Sequence, residues 1–131
     1  MVAQKSGNIV SIASAAGKGG SKTSIAYGVS KASVISMTRG LAVTFAGEGV
    51  RVNCVCPGYV ATEMPPRTDA EMVSMLGYEP GQYLRQVLAD IPLGRAASAE
   101  DVANVVGFLV SSKGSYMTGQ ALNVTGGRIM H

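Results

Sequence analysis

Three short apolar runs, residues 8–13 (NIVSIA), 50–56 (VRVNCVC) and 120–124 (QALNV), lie among longer stretches with helical spacing. Short, mostly apolar runs of this length, bounded by turn residues, are the pattern of buried parallel strands. Between the first two, Val34, Ile35, Thr38, Leu41, Ala42 and Phe45 trace one apolar stripe of a helix over residues 24–46. Before the third, Val102, Val105, Val106 and Leu109 supply the inner face of another helix. Ser98 is placed to cap that helix, with Glu100 and Asp101 in its first turn. Strands that alternate with helices imply a parallel sheet joined by right-handed crossovers. The expected fold is α/β: three parallel strands with helices between them.

Glycine and proline punctuate this order. Gly47-Glu48-Gly49 ends the long helix and Pro57-Gly58 stops the second strand. Thr118-Gly119 turns into the third strand, which closes on Gly126-Gly127. Residues 59–95 are the least regular stretch, containing Pro65-Pro66, Met64, Met72, Met75, Tyr78 and Tyr83, with one short helix expected over 80–89. Methionine and tyrosine at such spacing usually fill a core. Following the carboxyl end of a strand, they fit a mobile lid over a ligand equally well. The 131 residues suit one domain, with no internal repeat and no linker.

The chemistry concentrates in residues 11–31, SIASAAGKGGSKTSIAYGVSK. Tyr27 and Lys31 stand four apart on the long helix and therefore share a face. An ammonium beside a phenol favours its ionised form, and such a phenol can exchange a proton with an alcohol or carbonyl. Ser14 falls at the carboxyl end of the first strand, where ligands bind in open α/β sheets. Each residue alone has a plainer reading, as a solvated helix pair or as a turn former. The glycine-rich segment 17–23 (GKGGSKT) has neither P-loop nor G-x-G-x-x-G spacing and reads as the rim of a site.

Other classes are disfavoured. The net charge of +3 comes from scattered basic residues, not from the patch a nucleic acid requires. No apolar run reaches membrane-spanning length and the first residues are not a signal peptide, so a cytoplasmic protein is expected. Cys54 and Cys56, two apart on one strand face, read as reduced, buried thiols. With a single histidine at position 131 and no second cysteine pair, no metal site is expected.

S-A-A-G at Ser14–Gly17 and Y-G-V-S-K at Tyr27–Lys31, at this interval, resemble the short-chain dehydrogenase/reductase family. P-G-Y-V-A-T at residues 57–62 resembles that family's P-G-x-V/I-x-T turn. Residues 92–95 (PLGR), 99–103 (AEDVA) and 116–120 (YMTGQ) resemble its carboxyl-terminal signatures. At 124–127 (VTGG), Thr125 stands where many members carry aspartate. That ending, with G-K-G-G-S-K before the tyrosine, looks most like bacterial sorbitol-6-phosphate 2-dehydrogenases and related polyol dehydrogenases. The resemblance implies that Ser14 polarises a substrate carbonyl and that Tyr27 is the general acid or base. Lys31 would assist Tyr27 and hold the ribose, so that Tyr27 and Lys31 both count among the residues binding NAD or NADP. Pro57, Gly58 and Val60 would meet the nicotinamide end of the cofactor, and the Thr62 hydroxyl one of its phosphates. A small-molecule alcohol or ketone is the implied substrate, and a homo-oligomer the implied assembly.

The resemblance covers only the carboxyl-terminal half of a Rossmann-like, doubly wound sheet. The glycine-rich turn that holds the dinucleotide pyrophosphate is not in these residues, nor are the residue selecting NAD or NADP and the family's catalytic asparagine. The 131 residues are therefore expected to be a partial dinucleotide-binding domain, either a piece of a longer protein or the product of a truncated gene. The leading expectation is an NAD(P)-dependent oxidoreductase of secondary alcohols, such as polyols, and ketones. A 3-oxoacyl-thioester reductase is the enzymatic alternative. A non-catalytic remnant that only associates is the alternative from another class.

Overall fold

The computed structural model describes residues 1–20, 23–62 and 64–131, without the side chains of 64–68. Ser21 and Lys22 of the expected rim, and Glu63, lie outside the described residues. Three strands form one parallel sheet in the order β1 (Gly7–Ile12), β2 (Val50–Pro57), β3 (Ala121–Val124). The register pairs Ile12 with Val55, and Pro57 with Val124, so all three carboxyl ends lie at one edge of the sheet. β2 is the central strand. Val50, Val52, Cys54, Val55 and Cys56 are all buried, as expected of a central strand covered on both faces.

Helix α1 (Ile25–Phe45) covers one face. Its Ile35 and Val34 pack with Ala13, Cys54 and Cys56, and its Ala42, Leu41 and Phe45 pack with Ile9, Val50 and Val52. Thr38 of the same stripe is buried because its hydroxyl donates back to Val34 O at 2.8 Å, spending its polarity within the helix. The helix ends where the sequence reading places its stop: a short 3-10 turn, Ala46–Glu48, runs into Gly49 at φ 72°. A Cβ on Gly49 would fall 2.2 Å from Lys5 O, so both the conformation and the space demand glycine.

Helix α4 (Ala99–Val110) covers the other face, with Leu109 fully buried. Its start is a capping box: Ser98 Oγ accepts from Asp101 N, and Asp101 returns the bond to Ser98 N. Beyond α4, Arg51 on β2 donates to Gly114 O and Ser111 O, and the buried Asn53 donates to Met117 O while accepting from Gln120 N. These bonds fix the connection into β3. Cys54 and Cys56 are both free and fully buried on the α1 face. The adjacent Cys54 thiol and burial push the Cys56 thiol up from its ordinary pKa.

The stretch between β2 and α4 holds more helix than its periodicity indicates. Besides α3 (Gln82–Ala89), near the expected span, helix α2 runs over Met64–Leu76. Pro65 and Pro66 fall in its first turn, where backbone N–H groups have no intrahelical partner and proline costs no hydrogen bond. The two helices are tied by Asp69, whose carboxylate accepts from Gly81 N at 2.7 Å and Leu84 N at 3.4 Å. It thereby caps α3, whose own N-cap Gly81 has no side chain to do so. Among the described residues no helix is long and apolar enough to cross a membrane.

Candidate active site

The carboxyl end of β1 passes through Ala13, whose N–H donates to Val55 O at 2.8 Å, into the extended residue Ser14. Ser14 Oγ accepts from Ala16 N at 3.2 Å and caps a 3-10 turn over Ala15–Gly17. The turn-forming reading of this serine is thus realised. That bond uses an oxygen lone pair and does not spend the hydroxyl proton.

That turn is pressed against the helix carrying the other two candidates. A Cβ on Gly17 would meet Lys31 C at 2.7 Å and Ala32 N at 2.8 Å, and one on Gly28 would meet Ala16 O at 3.1 Å. Glycine at both positions lets loop and helix backbones touch beside Tyr27 and Lys31. Lys31 Nζ sits 5.7 Å from the centre of the Tyr27 ring and donates to Ile12 O at 3.2 Å. The i, i+4 pair therefore shares one face, as its spacing predicts, and its lysine reaches back to the last residue of β1. Tyr27 is half-exposed, open to a ligand from solvent.

The expected cofactor segment lies at the same edge of the sheet. Pro57 ends β2, and Gly58 N donates to Val124 O at 2.9 Å. A Cβ on Gly58 would come within 3.1 Å of Thr125 Cα, so this position too is set by a close backbone approach. Val60 forms an isolated parallel bridge to Ala97 through Tyr59 O and Ala61 N. In an extended segment the groups of Val60 itself then face the opposite way. Its carbonyl accepts from Thr62 N at 3.0 Å, and Thr62 is exposed. The chemistry of these groups is compatible with a nicotinamide cofactor: an ammonium can donate to ribose hydroxyls and a peptide N–H to a carboxamide oxygen.

Sequence reasoning met Lys18 and Thr125 only within the GKGG and VTGG motifs and gave neither a structural role. Lys18 Nζ crosses to Ala121 O at 2.7 Å. Thr125, buried at the end of β3, makes two bonds with Ile129. The sequence offers a weak signal for the latter only, in Gly126-Gly127 turning the chain back. Tyr59 contributes a buried hydroxyl, raised from its ordinary pKa first by that burial and then by Tyr83 and Asp69 nearby.

The family model described as enoyl-(acyl carrier protein) reductase matches residues 1–128. A 3-oxoacyl-(acyl-carrier-protein) reductase of Thermotoga maritima is 37% identical over 130 residues, which are 99% of this chain and 48% of that protein. Among solved structures, an actinorhodin polyketide ketoreductase with NADPH superposes with a TM-score of 0.91 at 34% identity, over 98% of this chain and 49% of that one. An NAD+-bound xylitol dehydrogenase gives a TM-score of 0.91 at 32% identity, over 97% of this chain and 51% of that one. The chain spans about half the length of the curated relatives it matches.

Proposed function

The chain belongs to the short-chain dehydrogenase/reductase family, and on that premise we propose that it is the catalytic half of an NAD(P)-dependent oxidoreductase interconverting a secondary alcohol and a ketone. The observation that carries this reading is the packing of the Ser14 turn onto the helix face bearing Tyr27 and Lys31, through Gly17 and Gly28. In it, Ser14 Oγ donates its proton to the substrate oxygen and fixes the carbonyl. Tyr27 delivers a proton to that oxygen in reduction and removes it in oxidation. Lys31, beside the Tyr27 ring, supplies positive charge to the phenolate and hydrogen-bond donors to the cofactor ribose. Pro57, Gly58, Val60 and Thr62 line the cofactor's nicotinamide and phosphate side. When bound, the nicotinamide carries the hydride, and the protein contributes position and electrostatics.

The reading also treats residues 1–131 as part of a larger dinucleotide-binding domain that acts as a homo-oligomer. Ile25, Val29, Met37 and Val43 support the latter, as apolar residues that leave much of α1 exposed.

Two substrate classes have specific support. A polyol or sugar alcohol is favoured by the G-K-G-G-S-K rim and by the likeness to xylitol dehydrogenase. A 3-oxoacyl thioester is favoured by the Thermotoga reductase and the polyketide ketoreductase. The deciding experiment supplies the chain with a relative's amino-terminal half and follows nicotinamide absorbance with each substrate class. Turnover of either identifies the class. Cofactor binding with turnover of no alcohol or ketone would refute the reading and favour the non-catalytic alternative.

A further inference from the structure

The residues after β3 connect two parts of the molecule that are far apart in sequence. At one end they hold the exit of α3. Leu93 N donates to Gly126 O at 3.1 Å, Arg128 lies 3.8 Å from the Asp90 carboxylate, and a Cβ on Gly126 would strike Ile91 at 2.6 Å. At the other end they are clamped back onto β3. Thr125 Oγ1 accepts from Ile129 N at 3.3 Å and donates to Ile129 O at 3.0 Å, while Asn123 Nδ2 donates to Ile129 O at 3.1 Å and His131 O at 3.2 Å. The clamp aims Ile129 at the loop that follows Ser14, where its Cδ1 lies 3.8 Å from the position of a Cβ on Gly19. The same loop is held from its own side by the bond from Lys18 to Ala121 O.

We propose that Thr125 is a positioning residue for Ser14: it clamps residues 126–131 as a strap, and the strap's Ile129 holds the Ser14 loop in its catalytic position. The inference rests on the reading of Ser14 as the group that holds the substrate oxygen. A buried hydroxyl that both donates and accepts is what the clamp needs, so serine can replace threonine there and valine, of the same shape, cannot. Loosening the clamp frees Ile129 and takes its contact away from the Ser14 loop.

The test is amide hydrogen exchange on the chain without cofactor or substrate, in the parent, Thr125→Val, Thr125→Ser and Ile129→Ala. The reporters are the amides of Gly17 and Lys18, which donate to Ser14 O and Ala15 O at 3.0 Å each. Expected is exchange roughly tenfold faster at these amides in Thr125→Val and Ile129→Ala, with unchanged protection in β2 and near-parent behaviour in Thr125→Ser. Unchanged loop exchange in Thr125→Val, or a serine variant as fast as the valine one, overturns the proposal. If Thr125→Val does not fold, Ile129→Ala decides alone. No substrate is present, so failure here refutes the strap and leaves the role of Ser14 standing. Normal turnover of Ser14→Ala would refute that role and leave the strap standing.

Discussion

Gly17→Ala tests the contact on which the candidate site is built. The added methyl would sit 2.7 Å from Lys31 C, 2.8 Å from Ala32 N and 2.9 Å from Lys31 O. All three are backbone atoms of α1, so no flexible side chain can swing aside. Loop and helix must part by several tenths of an ångström before carbon contacts return to the usual ~3.5–4.0 Å. Overpacking of this kind costs about 1–3 kcal/mol. The matched controls are Gly40→Ala in α1 and Gly107→Ala in α4, where an added Cβ meets nothing within 4 Å. Those substitutions replace a poor helix former with the best one and should stabilise by roughly 0.5–1 kcal/mol. Urea unfolding followed by circular dichroism should therefore move the midpoint down for Gly17→Ala and up for the controls. In the assembled enzyme, a displacement approaching an ångström between Ser14 and Tyr27 would cost about 10²-fold in turnover. A Gly17→Ala variant as stable as Gly40→Ala would refute the close packing of the Ser14 turn on α1.

Three further outcomes follow from the same structure. Ser98→Ala removes the acceptor for Asp101 N and should destabilise the chain by ~1 kcal/mol, read as a lower urea midpoint; an unchanged midpoint would deny the capping box its role. Asp101 is held well below its ordinary pKa, first by Arg95 and then by Ser98 N–H, so its contribution is complete above the unfolded carboxylate value of about 3.9 and is lost as pH falls below it. The stability difference between the parent and Asp101→Asn should accordingly be largest near neutral pH and shrink on acidification from pH 5 to pH 2, and a difference that grows would contradict the sign. Cys54 and Cys56, both fully buried, should react with iodoacetamide only as fast as the sheet opens, so rapid labelling of the native chain would show that β2 is not the core strand.

What the sequence makes legible is what local rules control. Tyr27 and Lys31 are readable because a helix of known period places residues four apart on one face, and the structure keeps them there. The buried β2 and the capping box at Ser98 follow from composition and from cap chemistry in the same local way. Helix α2 was hidden by Pro65-Pro66, which read as a breaker in mid-helix and as an acceptable start in a first turn. The bond from Lys18 to Ala121 O and the approach of Ile129 to Gly19 join residues more than a hundred positions apart. No periodicity encodes such pairs; they arise only once the sheet order brings β3 beside β2. Why Gly17 must be glycine, and why Gly28 leaves little room for a side chain, is likewise a fact of tertiary packing, invisible until loop and helix are seen to touch.

The most direct test of the central claim is the turnover of Tyr27→Phe, measured with the amino-terminal half supplied and a ketone or alcohol substrate turned over by the parent. The substitution removes one hydroxyl from a half-exposed ring and leaves the fold and the Lys31 bond to Ile12 O in place. Loss of the proton-transferring group should lower kcat by about 10²–10⁴ while cofactor binding persists. A Tyr27→Phe enzyme that binds cofactor and retains most of the parent's turnover would contradict the assignment of the Ser14, Tyr27 and Lys31 site.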